Sequence, residues 1–328
     1  MKYIIFGGTG SLGKTLVKRL LQQNHTVAVF ARGEDKHHKL KQIYSNLINI
    51  VGDVRDYDAV FKAIVSFCPD VIINAAALKQ VPLAEEYIEE AIKTNINGTI
   101  NVCKAVEAAN LKTGIKVLSI STDKVCMPVN SYGMTKALQE RIHIRAGDNS
   151  KHIYNAVRYG NVLESTGSVI PVFKQKLKEK KNLTVTHSEM TRFLMSLDDA
   201  VDLIFKALKD VKGQRIYIPR IRSAKITDLA TVLIKRYNPE SAIELSSIRP
   251  GEKLHEILIS KDESSRAFIL PDGVTYILTD ILNPYKNIPS DSTMFTKLEE
   301  FSSCSDTLTQ NQLIEFLENK GVFNESNQ

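Results

Sequence analysis

Tyr132 and Lys136 stand four positions apart in the stretch STDKVCMPVNSYGMTK, Ser121 to Lys136. On a helix that spacing puts both side chains on one face. A cationic lysine lowers the pKa of a neighbouring tyrosine. The phenolate can then take a hydroxyl proton while hydride leaves the carbon. Asp123 and Lys124 lie side by side just upstream. Oxidation of an alcohol needs only the tyrosine and its lysine, so a second acid and base imply a second chemical step. Taken alone, Tyr-x-x-x-Lys arises often by chance, and Asp-Lys can be a surface ion pair at a strand end.

A departing hydride needs an acceptor, and the N-terminus supplies a place for one. FGGTGSLGKTL sets Gly7, Gly10 and Gly13 directly after an apolar strand and at the opening of a helix. Gly7 can make the tight turn, Gly10 lets the backbone approach a pyrophosphate, and Gly13 lets helix and strand pack closely. Thr9, Ser11 and Leu12 complete the turn, and the helix N-terminus offers N–H donors and positive potential. The pattern in this strand–turn–helix setting predicts dinucleotide binding. The second strand ends in FARGEDK. An acidic residue there would bind a ribose 2′-hydroxyl. Ala31, Arg32 and Lys36 instead favour the 2′-phosphate of NADP over NAD. Asp53 and Val54 fall where an adenine edge would lie, and Ala75, Ala76 and Ala77 let a flat cofactor rest on the backbone.

These residues need a scaffold, and the first half of the chain has the pattern of one. Apolar runs at 3–7, 26–31, 47–52, 70–75 and 115–121 alternate with amphipathic stretches such as Leu12, Leu16, Leu20 and Leu21, with a sixth strand predicted at 155–162. That alternation predicts an α/β fold, a Rossmann-like doubly wound parallel sheet. Residues 1–160 are expected to form the nucleotide-binding domain. Residues 161–328 are expected to form mainly a smaller C-terminal substrate-binding lobe, with some segments returning to the sheet. In the second half, 196–208 and 225–237 each look like a helix begun by a Ser, Asp or Thr cap, and 307–321 resembles a capped final helix. The Pro-, Ser- and Asp-rich stretch 271–292 reads as a loop or rim.

Composition narrows the partners. The 328 residues are 43% hydrophobic and 24% charged, with net charge +6, as in ordinary soluble globular proteins. A modest positive excess suits an anionic small substrate. KLKEKK at 176–181 has no interleaved aromatics and reads as a solvated helix end, not a nucleic-acid patch. Cys68, Cys103, Cys126 and Cys304 are widely spaced, which predicts reduced thiols, no metal site and a cytoplasmic setting. No apolar run is long enough to span a bilayer, and MKYIIFGG is too short for a signal peptide.

With the glycine turn in place, STDKVCMPVNSYGMTK resembles the catalytic segment of the extended short-chain dehydrogenase/reductase superfamily. AAALKQVPLAE, TNINGT (94–99), VRYGNVLESTGSVIPVF (157–173), MTRFLMSLDDAV (190–201) and RPGEKLHE (249–256) extend the match over nearly the whole chain. Together they look like the inverting UDP-N-acetylglucosamine 4,6-dehydratases of glycan biosynthesis. The resemblance implies oxidation at carbon 4, with Tyr132 as base, Lys136 as its partner and Thr122 as a hydrogen-bonding helper. It implies loss of water across carbons 5 and 6, with Asp123 as acid and Lys124 as base, and return of hydride to carbon 6. Retaining relatives have Asp-Glu where this chain has Asp123–Lys124, so reprotonation of carbon 5 from the opposite face is expected. A simple ion pair would lower the Asp123 pKa and raise that of Lys124, opposite to those roles. Desolvation is expected to push both the required way in a coupled titration.

The resemblance also assigns binding residues. Lys79, Asn95 and Tyr159 join the cofactor set, and Lys79, Asn161, Ser168, Val169, Pro171 and Val172 border the sugar and diphosphate. Arg192 and Arg249 are natural diphosphate ligands or, alternatively, structural salt-bridge formers, and Glu252 is a candidate acceptor for uridine ribose hydroxyls. His187 and His255 read as polar surface or loop residues. The family usually has Gly-Ser-Arg-Gly after RYGNV, whereas this chain has Glu164 to Gly167, ESTG, which puts the sugar's identity in question. Tyr132 stands where one subgroup has Met. A homo-oligomer is expected from the family. A nucleotide-sugar 4-epimerase and a non-catalytic NADP-sensing module are the rival readings.

Overall fold

The computed structural model describes residues 1–111, 114–163, 165, 167–286, 288–295 and 300–324. Six parallel strands carry the nucleotide-binding half: β1 (Lys2–Phe6), β2 (Thr26–Ala31), β3 (Ile48–Val51), β4 (Val71–Asn74), β5 (Lys116–Ile120) and β6 (Ile153–Val157). Their order across the sheet is β3-β2-β1-β4-β5-β6. β1 pairs in parallel with β2 on one side and β4 on the other, Tyr3 opposite both Val27 and Val71. The winding reverses there, and the crevice outside the carboxyl ends of the strands at such a switch point is where ligands bind in this architecture. Ile4, Ile5 and Phe6 of β1 and Ile72 and Ile73 of β4 are wholly buried because helices cover both faces, which is why these strands read as continuous apolar runs.

Four strands from later in the chain extend the same sheet. Arg215–Pro219 pairs in parallel with β6, and Thr275–Leu278, Ala267–Ile269 and Thr293–Met294 follow in antiparallel order. A second apolar core gathers the helices Val169–Lys178, Ile226–Tyr237 and Gln310–Asn319 around Phe173, Leu177, Leu229, Leu233, Leu313 and Leu317. The helix Leu197–Lys209 begins with a reciprocal cap between Ser196 and Asp199, and the final helix begins likewise with Thr309 and Gln312. Among the described residues, no helix is long and apolar enough to cross a membrane. The lysine-rich run after Phe173 ends its helix with Lys178, Glu179 and Lys180 exposed.

Three expectations need correction. The sixth strand does not run through 162: β6 stops at Val157, and Asn161–Val162 pairs instead with Leu194–Met195 in a separate three-stranded sheet. Arg158 makes the break, since its guanidinium turns inward to Glu140 and Glu263. Within 271–292, Thr275–Leu278 is a fully buried strand, not a loop. Its neighbours on both sides of the sheet override the Pro, Ser and Asp around it. The helix Ile226–Tyr237 follows Lys225 and has no side-chain cap, because it continues directly from the strand Ser223–Lys225.

Candidate active site

The loop leaving β5 carries the acid–base residues. Thr122 caps a short turn over Asp123–Val125, and its hydroxyl donates to Asp123 Oδ1 at 2.9 Å. The Asp123 backbone N–H donates to the Tyr159 carbonyl at 3.0 Å, which ties this turn to the segment after β6. Tyr132 and Lys136 sit at the start of the helix Ser131–Arg145, which Asn130 caps by accepting from the Gly133 N–H at 2.7 Å. Gly133 is needed for close approach: a Cβ there would lie 2.3 Å from the Lys124 carbonyl oxygen. The helix start is thereby pressed against the Asp123–Lys124 turn.

Lys136 is buried, and its ammonium donates to the Ile120 carbonyl at 2.5 Å and to Gln139 Oε1. Gln139 in turn donates to Ser119 Oγ at 2.9 Å. Burial pushes the Lys136 amine down to about 7, partly offset by Glu140. The Tyr132 phenol goes the opposite way from expectation, up to about 12, because burial and the Asp123 charge outweigh Lys124 and the Thr122 hydroxyl. Lys136 is turned toward β5, and the cation that acts on Tyr132 is Lys124.

Lys124 is held by two carboxylates. Its Nζ lies 3.0 Å from Asp123 Oδ1 and 3.2 Å from Glu256 Oε1. Burial raises the Asp123 carboxyl, and Glu256 raises it further against the pull of Lys124. This is the direction an acid requires. Lys124 departs from expectation: burial opposes its charge, but Asp123 and Glu256 together lift it above the ordinary lysine value. Glu256 is lowered, since Lys124 and Arg192 outweigh burial. Within RPGEKLHE, no motif or spacing marks out Glu256. The available signal was a carboxylate placed directly before the buried run Ile257–Ile259.

These groups border a cavity of about 920 Å³ that runs from the glycine turn to the segment after β6. Gly7, Thr9, Gly10, Ser11, Leu12 and Gly13 line one end with Ala31, Arg32, Lys36, Asp53 and Val54. Ala75, Ala76, Ala77, Lys79 and Tyr159 line its middle with Thr122, Lys124, Tyr132 and Lys136. Gly7 has φ +78°, and a Cβ on it would lie 2.8 Å from Ala76 Cα. Arg32 NH1 stands 3.9 Å from Asp53, whose carboxyl is held low, despite partial burial, mainly by Arg55. Burial lowers the Lys79 pKa.

Asn161, Ser168 and Arg249 line the far end. Asn161 Oδ1 and Ser168 Oγ are buried without a hydrogen-bond partner among the described residues. Arg249 is exposed and pairs loosely with Glu252 at 3.7 Å. Asp123 lies just behind this wall, 1% exposed.

Other expected residues lie off the wall. Asn95 is fully buried in a π-helical turn, where it bonds Leu78 N at 2.8 Å and Thr135 Oγ1 at 3.0 Å. It braces the Lys79 loop against the Tyr132 helix. Val169, Pro171 and Val172 belong to the helix behind Ser168, and Glu252 stands behind Arg249. Arg192 faces Glu256 at 3.8 Å and donates to the Thr191 and Leu254 carbonyls. His187 accepts from the Glu189 N–H, and His255 is hydrogen-bonded to Thr191. Glu164 and Thr166 lie outside the described residues.

Comparison with known proteins places this geometry. A family model described as "Polysaccharide biosynthesis protein" matches residues 3–276. An inverting UDP-N-acetylglucosamine 4,6-dehydratase of Campylobacter jejuni subsp. jejuni serotype O:2 is 40% identical over 269 residues, 80% of this chain and 78% of that protein. A UDP-glucose 4-epimerase of Rickettsia bellii is 38% identical over 274 residues, 80% of this chain and 79% of that one. The X-ray structure of Pen from Bacillus thuringiensis matches with a TM-score of 0.88 at 33% identity, covering 98% of both chains.

Proposed function

The chain belongs to the polysaccharide biosynthesis protein family, and from that premise we propose that it is a UDP-N-acetylglucosamine 4,6-dehydratase that inverts carbon 5. The observation that carries the reading is the pair of buried Asp123 and cavity-lining Lys124, 3.0 Å apart, on a turn packed against the Tyr132 helix. The glycine turn fits a nicotinamide dinucleotide: Gly7, Gly10 and Gly13 line the cavity, and a Cβ on Gly10 would meet only the Gly7 carbonyl oxygen, at 3.5 Å, which leaves that face open to a pyrophosphate. Arg32 and Lys36 at the same end fit the 2′-phosphate of NADP. When bound, that cofactor accepts hydride from carbon 4 of the sugar and returns it to carbon 6.

The chain's own residues move the protons. Tyr132 takes the 4-hydroxyl proton as carbon 4 becomes a ketone, and Lys124 and the Thr122 hydroxyl favour its phenolate against burial. The ketone acidifies carbon 5, whose proton passes to Lys124 once the lysine has given its own proton to Asp123. Asp123 gives its proton to the departing 6-hydroxyl, which leaves as water. A proton from solvent then returns to carbon 5 on the opposite face. The product is a UDP-2-acetamido-2,6-dideoxy-L-hexos-4-ulose, and the enzyme is a hydro-lyase that regenerates its cofactor. Asn161 Oδ1 and Ser168 Oγ offer unused acceptors to the substrate, and Arg249 offers a guanidinium to its diphosphate.

The Rickettsia relative's name favours a 4-epimerase as the second reading. That reaction uses Tyr132 and Lys136 and leaves the Asp123–Lys124 pair without a task. Incubation with UDP-N-acetylglucosamine and NADP in deuterated water separates the two. Mass spectrometry is expected to read loss of water with deuterium at carbon 5, and NMR an inverted centre there. A 4-epimer of unchanged mass would overturn the dehydratase reading.

A further inference from the structure

Glu256 comes from the far end of the chain and is fixed before it reaches Lys124. Its backbone N–H donates to Ser303 Oγ at 2.9 Å, and its carbonyl accepts from the Ser303 N–H at 2.8 Å. The strand Ile257–Ile259 that follows is buried throughout. From this anchored backbone the side chain, 4% exposed, places Oε1 3.2 Å from Lys124 Nζ and 3.8 Å from Arg192 Nε. Its Oε2 is buried without a hydrogen-bond partner among the described residues, as is Asp123 Oδ2. A buried ion pair kept for stability has its remaining lone pairs satisfied. This one does not.

We propose that Glu256 is a positioning residue for the elimination step, fixing the Lys124 ammonium at the cavity wall jointly with Asp123. The proposal rests on the reading of Lys124 as the group that works on carbon 5. Asp123 and Lys124 are neighbours on one short turn, so Asp123 alone leaves the long lysine stem free to swing. A carboxylate from a different, anchored segment removes that freedom. Glu256 also raises the Asp123 carboxyl, which favours passage of the lysine proton to Asp123 and leaves Lys124 neutral.

The charges facing Lys124 are Asp123, Glu256 and Arg192, with the Tyr132 phenol beside them and Lys253 acting on Glu256. Glu256 raises both Asp123 and Lys124, so removing its charge lowers both. Arg192 lowers Lys124, so removing it does the reverse.

The test is an NMR titration of Lys124 in the full-length protein with lysine carbon-13 labelling, the signal identified by its loss in Lys124→Arg. In Glu256→Gln, Lys124 is expected to lose its proton at lower pH than in the wild type, and in Arg192→Gln at higher pH. The same Glu256→Gln protein is expected to lose about 10²-fold in kcat with UDP-N-acetylglucosamine, with a smaller change in KM and a pH optimum moved toward acid. Glu256→Asp keeps the charge but withdraws it, so the titration returns toward wild type while kcat stays low. An unmoved Lys124 titration in both charge-removing variants, or wild-type kcat in Glu256→Gln, would overturn the proposal. The titration decides whether Glu256 holds Lys124 whatever product the enzyme makes. Product analysis of the wild type alone decides whether the dehydratase reading stands.

Discussion

Two buried ionic clusters hang from one short C-terminal stretch, around Glu256 and around Glu263, and they are satisfied to different degrees. Around Glu263 every acceptor is used. Arg158 binds Glu140 through Nε and NH2, Glu263 through NH1 and NH2, and the Leu258 carbonyl through NH1. Glu140 also accepts from Ser121 at 2.6 Å, and Glu263 from Arg266 at 3.0 Å. Around Glu256 one oxygen on each carboxylate has no partner among the described residues, and the lysine between them borders the cavity. Two arginines hold the Glu263 carboxyl down at about 2 despite its burial, whereas burial and a second carboxylate push Asp123 up. The same residue types fasten the molecule in one place and stay able to exchange protons in the other. The hydrogen bonds on the carboxylates and the access to the cavity make the difference.

Removing one partner from each cluster sharpens this contrast most. Arg158→Met strands two buried carboxylates and is expected to cost about 3–5 kcal/mol in denaturant unfolding. Lys124→Met is expected to cost clearly less, because Asp123 is already biased toward its neutral form and Glu256 keeps Arg192 beside it. Equal losses would mean that both clusters are structural.

Acid addresses the closed cluster next. Glu263 is held at about 2 in the folded chain against an ordinary 4.5. Its contribution, roughly 3 kcal/mol, is therefore full above the ordinary value and is lost as pH falls toward the folded one. Unfolding free energies measured across that acid range are expected to decline, and the decline is expected to be shallower in Glu263→Gln. An identical slope in the variant would remove Glu263 from the account.

The smallest effect falls on the element shared by both clusters. Asn130 caps the helix that carries Tyr132 and Glu140, and its amide donates to the Gly251 carbonyl at 2.8 Å. Asn130→Ala is expected to cost about 1 kcal/mol in the same unfolding measurement. A cost several times larger would make this junction, and not the ion clusters, the main tie between the two halves.

What could be read in the sequence was local. β1, the glycine turn and the Tyr132–Lys136 spacing each lie within a few residues, and the apolar runs are long because both faces of the sheet are covered. What escaped depends on distant partners. The break after Val157 is made by Arg158, whose partner Glu263 lies on a late segment. Thr275–Leu278 is a strand because Arg215–Pro219 and Ala267–Ile269 flank it. Asn95 faces the interior because the π-helical turn sets its direction, which the TNINGT motif does not encode. Glu256 had no periodic signal, and only the folded chain brings it to Lys124.

The most direct test of the central claim, that loss of water depends on Lys124 beyond its pull on Tyr132, is Lys124→Ala with UDP-N-acetylglucosamine and NADP in deuterated water. The near-ultraviolet absorbance of the reduced nicotinamide is followed together with sugar mass. The account predicts that reduced cofactor still forms, more slowly than in the wild type because Lys124 also lowers the Tyr132 phenol, while the sugar neither loses water nor gains deuterium at carbon 5. A dehydrated product formed at the wild-type rate would contradict it.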